Sequence, residues 1–163
     1  MEHQQIKEIL NDLATINRER AKAYEDASFL NFIFNLELRG TFALLANQSR
    51  QNNFMLRQHL EQLPAHNAFG KKPMPELTFG DLYNQWKNMA ISFSGPNVHE
   101  MLKSCEQGEE AVQTIYKRAM EMFPLDNQFQ YVLENQMRGL QHSHSIIKGI
   151  LNHPHQAMPK RVS

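Results

Sequence analysis

Nine polar side chains fall, by helical spacing, on the inner faces of an otherwise apolar pattern: Asn17, Arg20, Gln48, Ser49, Asn52, Glu109, Gln136, Ser143 and His144, of which all but Asn17 and Ser143 make up the expected polar layer. Of these, Glu109 and His144 could ligate a metal, with Glu106 at the boundary of the same face. Carboxylates bridge and charge-balance divalent ions, and neutral imidazole adds a nitrogen ligand. A di-iron carboxylate bundle takes a Glu from each of two helices and a Glu-x-x-His pair from each of the other two. No Glu-x-x-His pair occurs in the second or the fourth helical segment, and Glu25 and His142 project outward on the same helical wheel. Glu106, Glu109 and His144 are then the ligands left for iron or another divalent metal, and the guanidinium of Arg20 beside them would repel a dication. The sequence therefore favours no metal and no cofactor. The second chemistry open to these residues is an ion pair. The planar fork of Arg20 offers five donors. Glu109 would take the charge, and Gln48, Ser49, Asn52, Gln136 and His144 would complete the hydrogen bonds. An unpaired charge in an apolar stripe is costly, whereas a paired one need not add net stability.

Four long helices would position this layer. The first, about His3 to Leu30, carries Ile6, Ile9, Leu13, Ile16, Arg20, Tyr24, Ala27 and Leu30 at helical spacing. The second, about Ile33 to Leu63, has its inner stripe at Phe34, Leu38, Leu45, Ser49, Asn52, Leu56 and Leu63, and Pro64 ends it. Gly40 interrupts that helix at about 1 kcal/mol relative to Ala, which marks either the loop side of the helix or a close contact. A long connection, Pro64 to Leu77, precedes a short helix from Thr78 to about Phe93. Thr78 is its N-cap, and Leu82, Trp86, Met89 and Phe93 lie on one side. Pro96 and Asn97 open the third long helix, to about Met122, with the stripe Val98, Met101, Cys105, Glu109, Val112, Tyr116, Ala119 and Phe123. Phe123-Pro124 forms a tight connection. The fourth helix runs from about Leu125 to Asn152. Residues 1–152 thus form one helical domain and residues 153–163 a flexible C-terminal tail.

The halves repeat weakly. Asn47-Gln48-Ser49-Arg50 matches Asn135-Gln136-Met137-Arg138, and Tyr24 matches Tyr116. Two helical hairpins, each with a short internal connection and a long one between them, have the connectivity of a ferritin-like bundle. Several stretches carry a resemblance to a family: Leu10-Asn11-Asp12-Leu13 through Ala23-Tyr24-Glu25, Gln48-Ser49-Arg50, Cys105-Glu106-Gln107-Gly108-Glu109 through Tyr116, and Gln136 with Gly139 and His144. Over nearly the whole chain they resemble the bacterial ferritin-like family called domain of unknown function 2383. The resemblance implies an all-α fold: a ferritin-like four-helix bundle of two helical hairpins, with a short extra crossover helix between helices 2 and 3. It brings no activity, because fold does not fix function.

Composition narrows the partners. The 163 residues carry 17 Lys plus Arg and 17 Asp plus Glu. A net charge of zero favours neither nucleic acid nor an anionic membrane. One cysteine excludes an internal disulfide. Met1-Glu2-His3-Gln4-Gln5 does not resemble a signal peptide, and no apolar window reaches the length of a membrane span, so a cytoplasmic protein is expected. Gly70-Lys71-Lys72 lacks a phosphate-loop pattern. Cys105 on the inner stripe reads as a packed thiol, and His153-Pro154-His155 as an incidental tail pair. The run Phe29 to Phe34 reads as a packed corner or as a homodimer patch. Trp86 reads as the plug of the crossover helix on the bundle. Three functions compete: a non-catalytic bundle acting through association, a metal-binding protein or oxidase with a degenerate carboxylate/His site, and a small-ligand carrier with a cavity beside the polar layer.

Overall fold

The computed structural model describes residues 3–29, 36–64, 98–124 and 127–152. They form four α-helices: α1 (His3–Ser28), α2 (Leu36–Gln62), α3 (Val98–Met122) and α4 (Gln128–Asn152). There is no strand among the described residues. Each helix has 25 to 27 residues, a length of about 40 Å. The expected crossover helix over 78–93 with Trp86, the rest of the Phe29–Phe34 run, and the tail from His153 lie outside the described residues.

The inner stripes predict the core well. Ile6, Ile9, Leu13, Ile16, Tyr24 and Ala27 of α1 are buried, as are Met101, Cys105, Val112, Tyr116 and Ala119 of α3. They meet Leu38, Phe42, Leu45 and Leu56 of α2 and Phe129, Leu133, Leu140 and Ile147 of α4 in one apolar cluster. Phe42, absent from the expected stripe, is fully buried and stacks on Tyr24 with ring centroids 5.7 Å apart. Gly40 is exposed, and a Cβ there would meet nothing within 4 Å, so it marks no close contact.

Local chemistry sets the helix ends. The amides of Leu63 and Phe123 close final turns onto Leu60 and Met120, just before Pro64 and Pro124. Asn127 caps α4, its Oδ1 accepting from the Phe129 amide at 2.8 Å. The side-chain amide of Gln130 reaches back to the carbonyls of Met120 and Phe123 at 2.8 and 3.2 Å. It thereby satisfies acceptors that the end of α3 leaves open.

α1 packs along α2, and α3 along α4, with the backbones in close approach; α1 also meets α3, and α2 meets α4. The paired residues fix the directions. Asn17 faces Tyr116 while Arg20, further along α1, faces the earlier Glu109. Gln48 faces Ser143 while Asn52 faces Gln136. Both pairings are antiparallel. Arg57 bonds Asn11 at one end of the α1–α2 pair, and Arg20 bonds Gln48 further along it, so that pair is antiparallel too. α2 and α3 consequently run in the same direction on opposite corners.

Candidate functional site

Arg20 is fully buried at mid-height of the bundle, and each of its three guanidinium nitrogens bonds to a protein partner. Nε donates to Glu109 Oε2 at 2.8 Å and Nη2 to Glu109 Oε1 at 2.5 Å, a bidentate pair. Nη1 turns the other way, to Ser49 Oγ at 2.6 Å, Gln48 Oε1 at 2.9 Å and the Leu45 carbonyl at 3.3 Å. The Tyr24 ring lies 5.1 Å from the guanidinium carbon, within cation–π range. Three helices thus hold one cation: α1 supplies it, α3 neutralises it, and α2 takes the remaining donors.

A directed chain of donors leads away from this pair. Ser49 Oγ, which accepts from Arg20, donates to Asn17 Oδ1 at 3.1 Å. Asn17 Nδ2 donates to the Tyr116 hydroxyl and to the Leu13 carbonyl, each at 2.8 Å. Tyr116 donates to Gln136 Oε1 at 2.6 Å, and Gln136 Nε2 to the Asn52 carbonyl at 3.4 Å. Asn52 Nδ2 returns to Asn17 Oδ1 at 3.2 Å. From Arg20 through Ser49, Asn17 and Tyr116 to Gln136 each link polarises the next in the same sense, which strengthens such chains in a low-dielectric interior. On the α4 side, Ser143 donates to Gln48 Oε1 at 2.9 Å, and Gln48 Nε2 donates to the Gly139 carbonyl at 2.9 Å. A Cβ on Gly139 would lie 3.0 Å from Gln48 Nε2, close enough that the Gln48 amide would have to give by a few tenths of an ångström.

The weak repeat has a physical counterpart here. Gln48 donates to a carbonyl of α4 and Gln136 to a carbonyl of α2. Tyr116 meets Asn17, and Tyr24 lies against Glu109, the residues that the same sequence offset relates. Charge breaks the symmetry: one half places Asn17 where the other places Glu109, and Arg20 sits beside the acid.

Burial dominates the ionisation of this interior. It alone would lower the Arg20 guanidinium, but Glu109 beside it outweighs that, and the group is held above its usual range. Burial pushes the Tyr24 phenol well up, with the Glu109 carboxylate adding to it, and it also raises Tyr116. Cys105 is buried against the same carboxylate, and its thiol is pushed well above the usual thiol range. Such a thiol is a poor nucleophile.

The structure therefore brings together Arg20, Glu109, Gln48 and Ser49, and reaches Asn52 and Gln136 through Asn17 and Tyr116. His144 stands elsewhere. Expected to complete the Arg20–Glu109 hydrogen bonds, it instead lies at the α3–α4 rim, with Nε2 2.9 Å from Glu106 Oε1 and Nδ1 2.7 Å from Gln113 Nε2. With the Gln113 amide donating, Nε2 carries the proton toward Glu106. Asn17 and Ser143 point inward by spacing alone but were not assigned to the expected layer, and both belong to it. Tyr116, on the inner stripe of the third helix, joins them through its hydroxyl.

The donor set does not fit a di-iron centre. Glu109 and Asp12 are the carboxylates buried among the described residues, and Asp12 is two helical turns from Arg20, about 12 Å along α1. Both oxygens of Glu109 take bonds from Arg20. Among the described residues no three His, Cys, Asp or Glu side chains are grouped to hold a metal, the trio Glu106, Glu109 and His144 included.

Beside the polar layer, between α2 and α4, lies a cleft of about 310 Å³ lined by Leu44, Leu45, Asn47, Gln48, Gln51, His142, Ser143 and Ile146. No described helix is long and apolar enough to cross a membrane. No family model matches the sequence, and neither a curated protein nor a solved structure matches it.

Proposed function

We propose that this chain is a ferritin-like bundle protein of the kind its sequence resembles, non-catalytic and acting through association. An internal ion-pair layer takes the place of a di-iron site. The observation that carries the reading is the complete occupation of Arg20 and Glu109 by protein partners at the bundle's midpoint. The parallel course of α2 and α3 supports the connectivity, because α2 ends at the opposite end of the bundle from the start of α3.

In this reading the layer fixes helix register. Each of its side chains has partners at one vertical setting only, and sliding a helix by one turn, about 5.4 Å, would strand a buried charge. Association is supported by the large exposed apolar side chains Leu44, Phe54, Met55 and Tyr131 on α2 and α4. A second copy is the simplest partner, and the single cysteine suits a cytoplasmic setting.

The test is metal analysis and sedimentation of protein purified without a histidine tag. Metal-poor protein that sediments as a dimer supports the reading, and near-stoichiometric iron or manganese overturns it. Register is read separately in an Arg20→Met/Glu109→Leu double variant. A bundle equally helical but less ordered supports the register role. A variant more stable and equally ordered contradicts it.

A further inference from the structure

We propose that the cleft between α2 and α4 is a binding site for a small uncharged molecule with an apolar body and a carboxamide-type edge. This goes beyond association, since neither the ion pair nor the exposed apolar residues require any ligand. Its volume, about 310 Å³, falls at the lower end of small-molecule sites.

Three features select the chemistry. First, among the described residues the lining contains no Asp, Glu, Lys or Arg, so these side chains offer a charged guest no counter-charge for the hydration it would shed. Second, the lining is divided lengthwise. α2 presents Leu44 and Leu45 before Asn47, Gln48 and Gln51, and antiparallel α4 sets Ile146 at the Leu44 end and His142 and Ser143 toward the amides. A guest is thus offered an aliphatic end and an amide end, separated by about 10 Å from Leu44 to Gln51. Third, the wall between the ends is rigid. Gln48 is tied to Arg20, Ser143 and the Gly139 carbonyl, bonds that fix the orientation of its amide. Asn47 and Gln51 stand exposed on either side of it. An Asn or Gln amide offers a donor and an acceptor side by side, which pairs bidentately with an edge carrying the complementary two groups. With Gln48 already fixed between them, the ordering cost of binding falls on Asn47 and Gln51.

The test titrates the full chain with benzamide, and with benzoate as the charged isostere, followed by amide chemical shifts in two-dimensional NMR. The expected result is saturable benzamide shifts confined to residues 44–51 and 142–146, with a dissociation constant on the order of 1 mM, which suits so small a probe. Benzoate should bind at least tenfold more weakly. Gln51→Leu should weaken benzamide at least fivefold without altering the melting temperature. Non-saturable shifts, equal binding of benzoate, or shifts centred on Phe54, Met55 and Tyr131 instead of the cleft would each overturn the proposal. Leu44 belongs to both surfaces, so self-association is read at Phe54, Met55 and Tyr131, outside the cleft, and the cleft site at Asn47, Gln51 and His142.

Discussion

Glu106 and Glu109 leave α3 within a single turn of each other, yet their pairs belong to different physical regimes. The Glu109–Arg20 pair has side chains 1% and 0% exposed, and the Glu106–His144 pair 21% and 13%. At the centre, desolvation of both ions is large. Bidentate geometry and a full set of second partners must offset it, so either residue alone is a liability. At the rim, water still screens both groups and each can be rehydrated, so the pair contributes little. Three positions around one helix separate an obligatory partner from a dispensable one. The same acid type holds the centre in one place and meets a rim histidine in the other.

The comparison breaks or sharpens under substitution, beginning with the largest effect. Arg20→Met, or Glu109→Leu, strands the opposite buried charge and should cost about 3–5 kcal/mol, read as a lowered urea midpoint. The next effect reaches the central pair indirectly. Gly139→Ala presses on Gln48, which cannot move without releasing Arg20. A net loss of about 1 kcal/mol is expected despite the better helix propensity of Ala. Gly149→Ala, where a new Cβ meets nothing within 4 Å, should instead gain about 0.5–1 kcal/mol. Opposite signs at two glycines of one helix would locate the effect in the layer.

Alkaline pH tests the same interior. Tyr24 and Tyr116 have raised phenol pKa values in the folded protein, chiefly through burial. Their contribution is intact below the ordinary phenol value of about 10. Above it the unfolded chain loses those protons first, so stability falls as pH rises. By about pH 10.5 the two phenols together should remove roughly 1–2 kcal/mol. Thermal melts across that range, repeated on Tyr116→Phe, should show a shallower fall in the variant. The smallest effect belongs to the rim. His144→Ala should cost less than about 1 kcal/mol, and a loss comparable with that of Arg20→Met would erase the distinction between the pairs.

Much of this interior was legible in the sequence because its logic is one of exclusion. A charge at the centre of the stripe Ile16, Arg20, Tyr24 needs a partner, and Glu109 was the acid centred on a facing stripe. Helical spacing carried the core for the same reason, since one face of each helix is apolar for its whole length. His144 was misplaced because helical-wheel position separates centre from rim by only tens of degrees, and neighbouring Ser143 took the inward place. Asn127 escaped notice as a cap because Pro124 drew the start of the fourth helix to Leu125. Tyr116 escaped because an aromatic on an apolar stripe reads as packing, and its hydroxyl finds its role only when Asn17 and Gln136 arrive from other helices.

A double-mutant cycle on Arg20→Met and Glu109→Leu, measured by equilibrium urea unfolding, reaches the central claim most directly. The account predicts that each single variant is severely destabilised while the pair together loses far less, leaving a coupling energy above about 2 kcal/mol. Additive losses would show that the two side chains do not depend on one another, and the ion-pair layer would fail as the organising feature of this bundle.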